Sequence, residues 1–202
     1  MFVRAPSSGT DARGTMTGHN ATRPWRAEFW TLLVLILVTR VADGTITYLI
    51  TPDLAREINP FQSVLGWGWV GLIAGAAVIL AGVMTLNYIS LVYPIDNFPS
   101  KKGLSFEAFR GQYFSMADGS VFSKRPWHVM AYVCGYVFPR GIIVWSVLVV
   151  GHNYLVYSDA EWYRPLRLYR ITFLLYLVLP ILALSFIWVL QRKDYQRYLR
   201  QV

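Results

Sequence analysis

The sequence predicts an all-α polytopic membrane protein with four transmembrane helices, and three observations carry that expectation. The chain of 202 residues is 55% hydrophobic and only 15% charged, whereas soluble domains carry about 25% charged residues. Its apolar residues fall in four continuous blocks rather than in alternation. Its basic residues collect on one side of those blocks. A formal charge of +8 on so apolar a chain fits basic segments lying beside lipid headgroups. Nucleic-acid binding is the competing reading of a high pI, and the apolar content argues against it.

Residues 1–24 are rich in Ser, Gly, Thr and Arg without an apolar period, which predicts a disordered tail. The remainder, 25–202, reads as a single four-helix transmembrane domain. Its first block runs from Phe29 to Ile50. A basic segment precedes it, as in a signal peptide. Arg40 lies near any plausible cut, however, and no small-x-small site follows, so an uncleaved first helix is expected. The second block runs from Val64 to Tyr93, with no charge between Pro60 and Pro94. The third is Trp127 to Gly151, and the fourth, Ile171 to Leu190, contains no charge. About 20 residues rising 1.5 Å each cross a hydrocarbon core about 30 Å thick, so each block can span. Lipid requires backbone groups to be satisfied within the segment, which selects helices. Between the second and third spans lies a loop, 94–126. Its "LSFEAFRGQYF" stretch (104–114) reads equally as a short surface helix near anionic lipid, with Lys101 and Lys102 beside it, or as an ordinary loop.

Orientation follows from Lys and Arg. Arg4, Arg13, Arg23 and Arg26 precede the first span. Lys101, Lys102, Arg110, Lys124 and Arg125 fall in the long loop, and Arg192, Lys193, Arg197 and Arg200 in the C-terminal segment. Arg56, Arg164, Arg167 and Arg170 lie on the other side. The bias places both termini in the cytoplasm, and a prokaryotic inner membrane is the expected location. Trp25, Trp30, Trp67, Trp127 and Trp162 fall near span ends, as an aromatic belt would.

Two basic residues, Arg40 and Arg140, fall inside spans. A charge at the bilayer centre costs about 2.5–3.5 kcal/mol on insertion scales and calls for a partner or a wet cavity. Arg40 and Asp43 are three apart and share a helical face. Gly44 and Thr47 continue that face, Gly44 giving a neighbouring backbone room and the Thr47 hydroxyl reaching Asp43 or its own backbone. Arg140 is expected at a similar depth, where Pro139 removes a backbone donor, kinks the helix and frees a carbonyl. Arg40, Asp43 and Arg140 are therefore expected to form a net positive pocket between the first and third spans. Such a pocket would suit an anion. Glu57 is a further carboxylate that could fold back toward it, or remain a solvated loop acid. Asn59 reads as an N-cap with Pro60 at the first helical position. His152 and Asn153 would form the pocket's mouth.

Asp43 with Thr47, followed by Glu57-x-Asn59-Pro60 opening the next helix, resembles an uncharacterised family of small bacterial and archaeal membrane proteins, a domain of unknown function. The resemblance covers roughly residues 36–85. It implies a recurrent polar site in the first membrane hairpin and no particular activity.

Other signals are plainer. Gly71 and Gly75 form a G-x-x-x-G pair that Gly82 extends, which predicts close helix packing within the bundle, or a seam to another copy or subunit. Cys134, the single cysteine, reads as an inert buried thiol. His128 sits beside Trp127 at an interface. His128 and His152 are 24 residues apart on one helix, about 36 Å, too far to hold one haem. No metal site and no cofactor are expected. The site suggests a protein that binds or transports a small anionic ligand, ion or lipid at an outward-facing polar pocket formed by Arg40, Asp43, Thr47, Glu57, Asn59, Arg140 and His152. Alternatively Arg40 and Asp43 are a structural ion pair in a subunit of a larger membrane complex. An intramembrane enzyme, with Asp43 or Glu57 as base, is the remaining reading; the chain carries no nucleophile motif, phosphate-cradling loop or H-E-x-x-H. The expected partners are the lipid bilayer and, if any protein, another copy of the chain or other membrane subunits.

Overall fold

A computed structural model describes residues 24–54, 66, 68–95, 98–99, 102–113, 115, 125–168 and 171–201. Among these the chain is helical with no strand. Four helices are long and apolar enough to cross a membrane: α1 (Pro24–Ile50), α2 (Gly68–Val92), α4 (Pro126–Tyr157) and α6 (Ile171–Gln201). The described residues also include the short helices α3 (Phe106–Tyr113) and α5 (Arg164–Leu168), with a 3-10 turn at Glu161–Tyr163 before α5. Each long helix falls on one of the apolar blocks, and the boundaries differ where side chains rather than lipid set them. The first begins at Pro24, a residue pre-shaped for a first helical turn. The last continues eleven residues past Leu190 to Gln201. At 32 and 31 residues, α4 and α6 are about 48 and 46 Å long, so both extend beyond a 30 Å hydrocarbon core.

The central helix is α4. It packs against α1, α2 and α6, while α1 also packs against α2. In its most apolar stretch 33% of residues are buried, against 6–11% in the other three helices; those three surround it and turn their apolar faces outward. The hairpin of α1 and α2 is pinned at both ends by aromatics. Trp69 Nε1 donates to the Pro52 carbonyl at 2.8 Å, and Tyr48 packs on Trp69. At the opposite end Trp25 and Phe29 meet Tyr88 edge to face.

The closest helix contact is between α2 and α4. A Cβ on Gly135 would collide with the Leu86 carbonyl and lie 2.8 Å from the Ser90 Cβ, so only glycine permits this approach. Pro139 has no N–H to offer the Gly135 carbonyl four residues earlier. The buried Asn87 side chain supplies it instead, Nδ2 donating at 3.0 Å. A carbonyl freed by proline is thus satisfied from the neighbouring helix, as lipid requires. Close packing was expected from the stripe of Gly71, Gly75 and Gly82. Gly82 is exposed, and a Cβ added there would meet nothing within 4 Å. The close approach to Gly135 is made by α2 at Leu86 and Ser90, with Asn87 between them. Gly44 likewise has no neighbour within that distance and makes no room for a partner backbone.

The stretch 104–114 contains helix α3, opened by Ser105, whose Oγ accepts from the Ala108 N–H at 3.2 Å as an N-cap does. Phe109 is wholly buried against Phe98, Tyr195 and Tyr198. Two tyrosines of α6 hold the backbone before it: the Leu104 N–H donates to Tyr198 Oη at 3.1 Å, and Tyr195 Oη donates to the Leu104 carbonyl at 2.9 Å. The extension of α6 past Leu190 is therefore the seat of the loop between the second and third spans.

Candidate functional site

Parallel contacts between α1 and α4 define a polar seam. Rising along both helices, Glu28 meets Arg140, Arg40 meets Ser146, and Asp43 meets Asn153. Arg40 and Asp43 pair within α1 at 3.4 Å, as their three-residue spacing predicts. Arg40 Nη2 also donates to Ser146 Oγ, and that hydroxyl donates to the Ile142 carbonyl at 2.5 Å. Asn153 Nδ2 donates to Asp43 Oδ1 at 3.4 Å. The Thr47 hydroxyl does not reach Asp43; Thr47 offers its carbonyl to the N–H and hydroxyl of Thr51. Arg40 Nε is buried without a hydrogen-bond partner among the described residues.

Arg140 does not join this group. Its side chain points back along α4, as helical side chains do. Nη1 donates to the Tyr136 carbonyl at 2.7 Å, Nη2 binds Glu28, and the guanidinium lies 3.7 Å from the centre of the Tyr136 ring. The expectation of a shared pocket for Arg40, Asp43 and Arg140 fails for a geometric reason. Ser146, the α4 residue level with Arg40, is six positions beyond Arg140, about 9 Å along the axis, and the Arg140 side chain leans away from it. His152 also turns elsewhere: Nδ1 lies 2.5 Å from the hydroxyl of the buried Tyr163, in the turn before α5. Burial pushes the Tyr163 phenol above its ordinary value, and the phenol and the imidazole share one hydrogen bond. Glu57 and Asn59 lie outside the described residues.

The structure adds a second polar group that sequence reasoning missed, at the end of the bundle where α1 begins and α6 ends. A cavity of about 320 Å³ opens there, lined by Trp25 and Glu28 of α1, Ser90 and Leu91 of α2, Tyr132 and Tyr136 of α4, and Lys193 and Arg197 of α6. Beneath it Asp194 is completely buried. The Tyr132 hydroxyl donates to Asp194 Oδ1 at 2.9 Å, and Arg197 Nη1 approaches both, 3.4 Å from the Tyr132 oxygen and 3.5 Å from the carboxylate. The charges then match in pairs: Glu28 answers Arg140, and Asp194 answers Arg197. Lys193 has no carboxylate within ion-pair distance among the described residues, and its Nζ stands 5.5 Å from the centre of the Tyr136 ring. One positive charge is left over on the wall of the cavity.

A signal for this group exists in the sequence. Asp194 and Arg197 share the three-residue spacing of Arg40 and Asp43, and both lie within two turns of the end of the uncharged run Ile171–Leu190. What the spacing does not reveal is that Tyr132 and Tyr136, two positions on another span, complete the wall. Among the described residues no three of His, Cys, Asp and Glu gather as a metal would require. No known protein family, no curated protein and no solved structure matches the chain, and the resemblance over 36–85 rests on its motif residues alone.

Proposed function

We propose that this is a membrane protein that binds a small anionic ligand, ion or lipid, and that the binding site is the cavity lined by Lys193 and Arg197 rather than the Arg40–Asp43 group. The observation that carries this reading is the unbalanced cation. Among the described residues around the cavity every other charge has an opposite within reach, and a positive charge facing a partly apolar wall is costly until an anion meets it. Tyr132 has its proton committed to Asp194, and the Arg197 guanidinium still has further N–H donors to direct at an anion. The Arg40–Asp43–Ser146–Asn153 group, by contrast, directs its polar groups at one another with the exception of Arg40 Nε, which suits a lock between α1 and α4. In this reading Asp43 of the family-like motif serves the lock. Both termini lie in the cytoplasm of a prokaryotic cell, so the cavity opens at the inner face.

The test is thermal unfolding of the purified protein with inorganic phosphate, glycerol phosphate or phosphatidylglycerol in mixed micelles. A ligand at a hundred times its Kd stabilises the folded state by about 2.7 kcal/mol. At least one of these anions raises the melting temperature of the native chain, and Lys193→Gln/Arg197→Gln removes the rise. No rise with any of them, or an equal rise in the double variant, overturns the reading.

A second reading, a subunit of a larger membrane complex, draws on the outward apolar faces of α1, α2 and α6. Purification in mild detergent separates the two, because a subunit brings other chains with it in fixed ratio.

A further inference from the structure

Resting on the anion-binding reading, we infer that the occupant of the cavity is a membrane phospholipid of net negative charge, held by its phosphodiester between Lys193 and Arg197. Three features point to a lipid rather than a soluble anion. The first is depth. Lys193 and Arg197 follow the uncharged stretch Ile171–Leu190 by one to two turns, which places them where the hydrocarbon core gives way to phosphates. The second is access. On one side of the cavity α6 packs on α4, and on the other α1 and α2 pack on α4, with no comparable packing of α6 against α1 or α2. The lining residues come from both sides of that seam. An acyl chain can therefore leave sideways into the bilayer while its headgroup stays within. The third is size, since about 320 Å³ lies at the small end of ligand cavities, room for a headgroup with its tails outside.

Charge selects among lipids. Among the described residues, Arg140, Lys193 and Arg197 face Glu28 and Asp194, an excess of one positive charge. A phosphodiester with an uncharged headgroup cancels it. A headgroup carrying its own ammonium leaves the excess in place and brings that ammonium toward Arg140 and Lys193. The site therefore favours phosphatidylglycerol over phosphatidylethanolamine.

The experiment reconstitutes the protein in nanodiscs of equimolar phosphatidylglycerol, phosphatidylethanolamine and phosphatidylcholine, and counts the lipids retained by native mass spectrometry. Each basic residue near an anionic surface is worth about fivefold in binding. Phosphatidylglycerol is expected to be retained about fivefold over phosphatidylethanolamine; Lys193→Gln brings the ratio to about one, and Lys193→Arg restores it. Arg110→Gln, at a residue that does not line the cavity, leaves the ratio unchanged and serves as the surface-charge control. Equal retention of the three lipids by the native chain, or a loss of preference in Arg110→Gln as large as in Lys193→Gln, overturns the lipid inference. Stabilisation by inorganic phosphate without lipid preference sinks this inference and leaves anion binding standing; the absence of both sinks the two together.

Discussion

Arg40 sits at a depth where a lone charge costs about 2.5–3.5 kcal/mol, and three side chains share the burden: Asp43 from its own helix, and Ser146 and Asn153 across the seam, the latter through Asp43. Polar contacts between membrane helices contribute about 0.6 kcal/mol on average and up to about 1.7, so each is modest and the set matters. A double-mutant cycle between Asp43→Asn and Asn153→Ala should show coupling in that range, measured by reversible unfolding in mixed micelles. The same cycle between Asp43→Asn and Arg140→Gln should be additive within about 0.5 kcal/mol, as for sites without a shared partner. Coupling of the second pair as strong as the first would contradict the separate placement of Arg140. At this scale the sequence discloses half of each arrangement. Arg40 with Asp43 is legible because i and i+3 share a helical face whatever the fold. Ser146 and Asn153 are not, because the register between two spans depends on how their surfaces mesh. Counting depth from span ends sets Arg140 level with Arg40; the direction of its side chain sends it to Glu28.

Among the elements, α4 shows how one irregularity creates another. Pro139 deprives the Gly135 carbonyl of its helical donor, Asn87 of α2 replaces that donor, and the absence of a side chain at Gly135 lets α2 come near enough to do so. Gly135→Ala would drive a methyl group into the Leu86 carbonyl, and since a backbone atom cannot step aside the helices must part. Overpacking of this kind costs about 1–3 kcal/mol, with loss of the Asn87 bond in addition. Gly82→Ala, at an exposed position of α2, meets no neighbour and should be neutral or gain up to about 1 kcal/mol from helix propensity. Paired unfolding measurements decide the point, and equal losses in both variants would return the seam to the glycine stripe. The glycine pattern is readable, yet its Gly82 has no neighbour within 4 Å, because a small residue permits close approach without specifying what approaches. Spans themselves are legible, since uninterrupted apolar runs of bilayer length leave little choice. The extension of α6 to Gln201 is not, because Tyr195 and Tyr198 stabilise it by gripping a loop about ninety residues earlier in the chain.

For the molecule as a whole, the long helices place the Glu28 end of α1, the loop residues 98–99 and 102–113 and the last turns of α6 at one end, and the turn at Ser158–Tyr163 at the other. The distribution of Lys and Arg predicts that the first of these ends is cytoplasmic. In a Cys134→Ser background, Ser158→Cys should react with a membrane-impermeant maleimide on intact cells. Lys102→Cys and Arg200→Cys should react only after lysis. The opposite pattern would invert the orientation and move the cavity to the outer face. The outward surfaces of α1, α2 and α6 carry exposed large side chains such as Val38, Val41, Val70, Val78, Ile181 and Leu184; in water so broad an apolar surface would drive association, and in a bilayer it is simply solvated.

The tyrosine grip on Leu104 has a temporal side. Its two hydroxyls come from residues 91 and 94 positions downstream. At about 5–20 residues per second, translation needs roughly 5–20 s to deliver them. Throughout that interval the newborn segment has no mooring, and its exposed amide and carbonyl must be hydrated at the membrane surface. A turn made some ninety residues later is thus the one that fastens this piece, and a chain truncated just short of Tyr195 would carry all four crossings and still lack its latch.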